Sequence, residues 1–271
     1  MDGNTLFSEL KKISVITINF NNKFGLEKTI QSVISQPLFI EHIEYIIIDG
    51  GSNDDSVETI KKFEGSIHSW ISEKDEGIFH AMNKGLQKAT GEYVIFMNSG
   101  DVFCNNLIDK EIIDRLNTQL VYGNYYLESE LPKNLCKQTE TIDFAYLLGK
   151  TICHQALFMK RDLCLKYPFE YKFNIIGDWI QLFKIMKNEN PSVKYVHQAI
   201  CIYDIEGLSI QQNDKRLNQR GEFLSLNYGE WELETLKKLG RLRSRDFYFW
   251  VMNSLDSYKR SIVFKWLSKI L

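Results

Sequence analysis

Proline and glycine are scarce in this 271-residue chain, at 4 and 16 residues, and no stretch is built from only a few residue types. With 44% apolar and 25% charged residues, the composition excludes a disordered, collagenous or low-complexity protein. The length allows one large or two modest domains around a sizeable core. The cysteines (Cys104, Cys136, Cys153, Cys164, Cys201) are odd in number and include no C-x-x-C pair, and the five histidines form no H-E-x-x-H. A disulfide framework, a zinc ribbon and a zincin site are thereby excluded, and the cysteines read as small core fillers. No apolar run approaches the ~18–20 residues that a membrane-spanning helix needs. The polar start, MDGNTLFSELKK, lacks the basic-then-apolar order of a secretion signal, so a cytoplasmic or membrane-peripheral protein is expected. A formal net charge of −2 gives no overall field for nucleic acid, and no such partner is expected. No G-x-G-x-x-G follows the first strand-like segment and no G-x-x-x-x-G-K-[ST] occurs anywhere, which argues against a nicotinamide Rossmann enzyme and a P-loop NTPase.

The small net charge conceals an asymmetry. From Leu236 to Leu271 nine basic residues face only Asp246 and Asp256, leaving the preceding 235 residues net acidic. Phe247, Trp250, Val251, Leu255, Tyr258, Ile262, Trp266 and Ile270 keep helical spacing in this tail, so residues 221–271 read as a basic amphipathic helical segment. Such a segment either docks on the body as a core helix or lies on an anionic membrane surface, where each basic residue contributes about 1 kcal/mol.

The first hundred residues alternate strand and helix patterns. KISVITIN (12–19) is β-branched and almost wholly apolar, as a strand buried on both faces should be. Leu26, Ile30, Val33 and Ile34 follow at helical spacing, then EYIII (44–48), a short helix with Val57, Ile60 and Phe63, strand-like SIHSWIS (66–72), a helix over 78–88 and EYVIFM (92–97). Repeated strand–helix–strand units imply parallel pairing and an open α/β sheet. Residues from about 104 to 210 are less regular and rich in aromatics. Asn19 and Asn21 follow the first strand, Asp49 the second, Glu73 and Asp75 the third, and Asp101 the fourth. Sites in such sheets lie outside the carboxyl ends of the strands. Carboxylates gathered there without nearby Lys or Arg call for a divalent cation, and hard oxygen ligands suit Mg²⁺ or Mn²⁺.

ISVITINFNN (13–22), YIIIDGGSNDDS (45–56), SEKDEGIFHAMNKGLQKATGEYVIFMNSGD (72–101), ICHQALF (152–158) and IIGDW (175–179) give the chain its family likeness. Together they resemble the family-2 inverting glycosyltransferases of the GT-A fold, in particular the bacterial subgroup that builds surface polysaccharides. The resemblance covers about residues 12 to 210, and its 72–101 block is the most specific. It implies a mostly parallel, Rossmann-like central sheet flanked by helices over residues 1–220, with 12–103 as the nucleotide-binding half and 104–220 as the acceptor-binding half. It also implies transfer of a hexose from a UDP-sugar, with inversion, to a glycan acceptor carried on a polyprenyl pyrophosphate at the inner face of the cell membrane, in O-antigen or lipopolysaccharide assembly.

The resemblance further implies roles for particular residues. Asp49 would accept from the uracil ring N–H, Thr17 and Asn19 would line the base and ribose pocket with Ser52 nearby, and Asp75 would close its other side. Asn83 and Lys84 would reach the diphosphate or sugar. Asp101 would hold the metal that stabilises charge on departing UDP. Asp178 would take the acceptor's proton as general base. His154, Gln155 and Trp179 would meet the acceptor, with Trp179 equally suited to the core.

Two positions depart from the family pattern. The usual D-x-D is replaced here by Asn98, Ser99, Gly100 and Asp101, and His80 stands where an Asp often precedes AMNKG. Plainer readings stand beside the functional ones: Asp178 with Gln181 three residues on resembles a helix capping box, and Asp49 before two glycines resembles a turn. Two other classes remain open, a nucleotidyltransferase of similar architecture and a non-catalytic glycan-binding protein on the same fold.

Overall fold

The computed structural model describes residues 12–128, 134–204, 213–230 and 232–234. They fall into two compact units. The first holds the described residues up to Thr141 and from Ile152 to Asp204; the second holds Ile142–Thr151 and the described residues from Asn213 onward.

In the first unit, β1 (Ile13–Asn19) is buried along its whole length. It leads into α1 (Lys23–Ile34), whose entry is fixed by Asn22: the side chain accepts from the Gly25 backbone N–H at 3.0 Å, a standard N-cap arrangement. After a short α2 (Phe39–His42), β2 (Ile43–Asp49) pairs in parallel with β1, in a register running from Ile13 opposite Ile43 to Asn19 opposite Asp49. Then come α3 (Ser56–Lys62), a 3₁₀ turn (Glu64–Ser66) and β3 (Ser69–Ser72), parallel to β2. The strand expected over 66–72 is shortened because the 3₁₀ turn takes up its first residue. Next, α4 (Ile78–Lys88) crosses over to β4 (Tyr93–Phe96), parallel to β1 on its other side.

The chain continues with β5 (Val102–Phe103), α5 (Lys110–Arg115), β6 (Leu120–Leu127) and β7 (Leu135–Cys136). The second unit contributes α6 (Phe144–Leu147). Back in the first unit follow a 3₁₀ turn (His154–Ala156), β8 (Leu157–Lys160), α7 (Arg161–Lys166), α8 (Gly177–Asn188) and β9 (Val193–Tyr203). In the second unit, α9 (Asn213–Asn227) runs through the boundary expected at 220/221. The basic tail beyond residue 234 lies outside the described residues. Among the described residues, no helix is long and apolar enough to cross a membrane.

The strands of the first unit form one sheet in the order β3-β2-β1-β4-β8-β6-β9-β5, with β7 on β6. The stretch from β3 to β4 is parallel, as the strand–helix alternation requires. Beyond β4 the sheet becomes mixed: β8 is antiparallel to both β4 and β6, β6 and β9 are parallel, and β5 and β9 are antiparallel. Because alternate side chains of a strand point to opposite faces, Ile13 and Val15 join Leu26, Ile30 and Val33 of α1 in one core. On the other face Gly85 of α4 lies against Ile16 and Ile48. The sheet is thus covered on both sides, which explains the continuous apolar runs of β1 and β2.

Gly91, in the turn between α4 and β4, sits where an added Cβ would lie 2.7 Å from the Ser14 backbone nitrogen, and its own N–H donates to Ser14 Oγ at 2.9 Å. Backbone on the neighbouring strand cannot yield as a side chain can. Gly91→Ala is therefore expected to cost about 1–3 kcal/mol, read as a lowered thermal midpoint; an unchanged midpoint would contradict this packing.

Candidate active site

Parallel register places the ends of β1, β2 and β3 side by side, so Asn19, Asp49 and Ser72 are neighbours at one edge of the sheet. Asp49 is fully buried. Its Oδ1 accepts from Asn19 Nδ2 at 2.7 Å and Ser52 Oγ at 2.6 Å; its Oδ2 accepts from the backbone N–H groups of Gly51 and Ser52 at 3.2 and 2.9 Å and from Ser72 Oγ at 2.6 Å. Burial works against the charged carboxylate, but these hydrogen bonds outweigh it and hold the pKa below the ordinary carboxylate value.

Asp49, expected at the uracil ring, has five donors within the protein, and these organise the turn after β2. Asn19 is 1% exposed; its amide also reaches Ser52 Oγ at 3.2 Å, and its Oδ1 accepts from Ser99 Oγ at 2.8 Å. Thr17, expected in the base pocket, is fully buried with its hydroxyl 3.1 Å from Tyr45 Oη, and burial pushes the Tyr45 phenol up. Asn83 braces a loop instead of reaching outward: its Nδ2 donates to the Phe169 carbonyl at 2.8 Å and its Oδ1 accepts from the Phe169 N–H at 2.9 Å. Lys84 pairs with Glu73 at 2.8 Å and holds that carboxyl below its usual range.

The open edge nearby belongs to other groups. Half-buried Asp75 accepts from the Gly77 N–H at 2.8 Å, and its Oδ2 lies 2.7 Å from where a Cβ on Gly50 would sit. Phe20 flanks the same point at 3.2 Å and is 64% exposed. Phe20, Gly50 and Asp75 are thus close neighbours beside the strand ends. The sequence reading passed over Phe20, although a large aromatic between Asn19 and Asn21, just past a strand end, was a usable signal.

The second half of the site is assembled around the 3₁₀ turn His154–Ala156. Gln155 Nε2 donates to Asp101 Oδ2 at 2.9 Å, and the Asp204 backbone N–H donates to Asp101 Oδ1 at 2.9 Å. Burial pushes the Asp101 carboxyl up to about 6 despite these bonds. His154 Nδ1 lies 3.1 Å from Asp178 Oδ2, and its Nε2 lies 3.3 Å from Asn98 Nδ2. Burial opposes charge on His154, but Asp178 outweighs it and raises the imidazole pKa. Next to His154 and Asp178 is a small cavity with apolar walls, including Val94, Phe96, Leu157 and Met159.

Trp179 is 1% exposed and packs on Phe183 with ring centroids 4.8 Å apart, so it belongs to the core and offers no face to a sugar. His154 and Gln155, expected at the acceptor, turn onto Asp178 and Asp101. The capping-box reading of Asp178 also fails: α8 starts at Gly177, Ile176 precedes it without a side-chain cap, and Gln181 donates to the Tyr167 carbonyl at 2.8 Å. Asp178 lies within the first turn, where its Oδ1 accepts from the Trp179 N–H at 2.7 Å. Gly177 permits this start because a side chain there would strike the ring of Phe79.

Among the described residues, no three His, Cys, Asp or Glu side chains are grouped to enclose a cation. A Mg²⁺-type site needs fewer protein ligands, because one or two carboxylates and the substrate's phosphates suffice. The donor chemistry fits: Asp101 is a carboxylate, and Asn98 Oδ1, in the same tight turn, is a buried oxygen with no hydrogen-bond partner. A side chain at Gly100 (φ +105°), next to Asp101, would run into the Asp204 carboxylate.

Residues 14–163, more than half of the chain, match the model of glycosyl transferase family 2. The chain belongs to that family. This glycosyltransferase is 39% identical over 210 residues to an uncharacterized glycosyltransferase of Mycobacterium tuberculosis, an alignment covering 72% of this chain and 76% of that one. Its fold is similar to that of residues 1–349 of S. aureus TarS, solved in complex with UDP-GlcNAc, with a TM-score of 0.62 at 17% identity, covering 88% of this chain and 73% of that one. Of a longer TarS chain the glycosyltransferase spans 44%. A mannosyltransferase from Pyrobaculum calidifontis, in complex with GDP-Man and Mn²⁺, matches with a TM-score of 0.57 at 13% identity, over 82% of this chain and 66% of that one. The architecture is therefore a GT-A-like α/β fold with a mixed sheet flanked by helices.

Proposed function

We propose that this glycosyltransferase moves a hexose from a UDP-sugar to a hydroxyl of a glycan acceptor, with inversion at the anomeric carbon and Asp178 as general base. One observation carries the reading: consecutive side chains of a single turn hold Asp178 and Asp101, so a proton acceptor and a phosphate-side carboxylate share one site at the sheet edge. In the step, the acceptor oxygen attacks the anomeric carbon from the face opposite UDP. The new C–O bond forms as the bond to the UDP oxygen breaks, the electron pair leaves with UDP, and the hydroxyl proton passes to the Asp178 carboxylate.

A divalent cation, Mn²⁺ or Mg²⁺, held by Asp101 with Asn98 Oδ1 beside it, would stabilise charge on the departing diphosphate as a Lewis acid. Exposed Phe20, beside Gly50 and Asp75 at the strand ends, suits the nucleotide base, because its aromatic face is available for stacking. The UDP-GlcNAc named for TarS and the Mn²⁺ named for the mannosyltransferase favour the same donor class and cation. The basic tail favours a lipid-linked acceptor, such as a polyprenyl-pyrophosphate glycan of O-antigen or other surface polysaccharide, met at the inner face of the cell membrane.

The test is UDP release from a panel of UDP-hexoses and their N-acetyl forms, with Mn²⁺ and a polyprenyl-pyrophosphate-linked sugar as acceptor. One donor is expected to be strongly preferred. Release of pyrophosphate instead, from a nucleoside triphosphate, would overturn the reading in favour of nucleotidyl transfer. In the same series Asp101→Ala is expected to weaken Mn²⁺-dependent UDP binding about 10-fold or more, measured by calorimetry. Equal UDP affinity with and without Mn²⁺ in the unaltered protein would remove the metal role.

A further inference from the structure

His154 and Gln155 are adjacent in sequence, yet each is committed to a different carboxylate. We propose that the turn His154–Ala156 is a two-armed positioning element: His154 aims Asp178, Gln155 holds Asp101, and the turn between them sets how far the proton acceptor stands from the leaving-group end. The His154 arm rests on Asp178 as base; the Gln155 arm does not.

The His154 arm follows from hydrogen-bond chemistry. An ionised carboxylate oxygen only accepts, so the imidazole nitrogen 3.1 Å from Asp178 Oδ2, Nδ1, carries the hydrogen. The ring is braced from behind by the Asn98 amide at Nε2. Asp178 is therefore gripped on both oxygens, by His154 on one and by the Trp179 N–H of its own helix on the other, which fixes the carboxylate plane. The apolar walls beside the pair limit screening by water, so the bond is stronger than it would be on an exposed surface.

Gln155 is 3% exposed, which leaves it no face for an acceptor. Its Oε1 accepts from Cys153 Sγ at 3.3 Å, and this orients its amide so that Nε2 points at Asp101. The turn is itself fixed. The Ala156 N–H donates to the Cys153 carbonyl at 3.0 Å, the Cys153 N–H donates to Gln138 Oε1 at 2.9 Å, and β8, which follows directly, is paired on both sides by β4 and β6. Two catalytic ends mounted on one sheet-anchored turn hold their spacing, and an error of about 1 Å in such spacing can cost about 100-fold in rate.

The arms separate experimentally in the full chain, with UDP-GlcNAc hydrolysis and transfer as the rate assays and UDP titration in Mn²⁺ as the binding assay. His154→Phe is expected to lower kcat about 10- to 100-fold with UDP affinity within twofold. His154→Asn, whose amide nitrogen takes the place of Nδ1, is expected to recover most of that loss. Gln155→Leu is expected to weaken Mn²⁺-dependent UDP binding about 10-fold. A merely structural turn would lower both readouts together in all three variants, and that result would overturn the proposal. ¹⁵N NMR of the unaltered protein gives a readout that needs neither turnover nor a stable variant: His154 should be protonated at Nδ1, and a bare Nδ1 would overturn the His154 arm. If Asp178→Asn kept its activity, the base reading and the His154 arm would fall together. If Asp178→Asn were inactive while His154→Phe kept a normal kcat, the positioning arm alone would fall.

Discussion

Asp178→Asn is expected to lower sugar transfer by about 10²–10⁴-fold, the usual contribution of a positioned general base, while UDP affinity stays within twofold. The substitution keeps the volume and shape of the side chain and leaves α8 intact, because Asp178 does not cap that helix; Ile176 occupies the preceding position and makes no side-chain cap bond. What is lost is the proton acceptor. The asparagine amide can present its carbonyl oxygen to His154 Nδ1–H, giving up only the Trp179 N–H bond at the other position, so the main defect is expected on kcat. Steady-state rates at saturating donor, set beside UDP titration, check this. Near-normal turnover would remove Asp178 from the proton-transfer role, and a parallel loss of UDP binding would instead mean that the helix had shifted.

Removing the Asp49 carboxylate should produce the largest stability change among the site residues. Asp49→Ala takes away the acceptor for five donors at once, from Asn19, Gly51, Ser52 (twice) and Ser72. Leaving buried donors unpaired costs about 1–3 kcal/mol each at most, and water will reclaim the outer ones, so a net loss of about 3 kcal/mol is expected. The thermal midpoint should fall by about 6–12 °C. The pH dependence follows from the depressed pKa of this carboxyl in the folded state. Its stabilising contribution is fully present above the ordinary carboxylate pKa and is lost as pH falls through the lower, folded value. Acid unfolding of the native protein should therefore be steeper below the carboxylate range than that of Asp49→Asn, which has no proton to take up there. Identical acid limbs would contradict the assigned role, as would a wild-type midpoint for Asp49→Ala.

The same network shows where sequence reading stops. Asn19, Asp49, Ser52 and Asp75 could be singled out because polar residues at the ends of buried strands are conspicuous in sequence. Whether each faces a ligand or its neighbour could not be read, because partners such as Asn19–Asp49, Asn19–Ser52 and Asp49–Ser72 lie 23 or more positions apart and the choice depends on register. Once Asn19 stands opposite Asp49, their side chains satisfy one another and Thr17 is sealed beneath. Phe20, left at the rim, was overlooked because an apolar residue carries no obvious chemistry by itself. The capping box at Asp178 failed for a similar reason: its spacing was right, but Phe79 from α4 packs against Gly177 and sets where α8 begins.

The alternation of buried strands and amphipathic helices, and with it the parallel half of the sheet, is written in the residue pattern, because side-chain periodicity and crossover geometry are local constraints. The same pattern also placed acidic residues at the carboxyl edge of that half. That β8 returns antiparallel between β4 and β6 comes from the three-dimensional packing. That placement brings His154 and Gln155 onto Asp178 and Asp101, and separates residues that could meet a substrate from those consumed in holding one another. The physical reason is that a buried polar group must be satisfied by whatever the fold sets beside it, and that neighbour comes from a distant part of the chain.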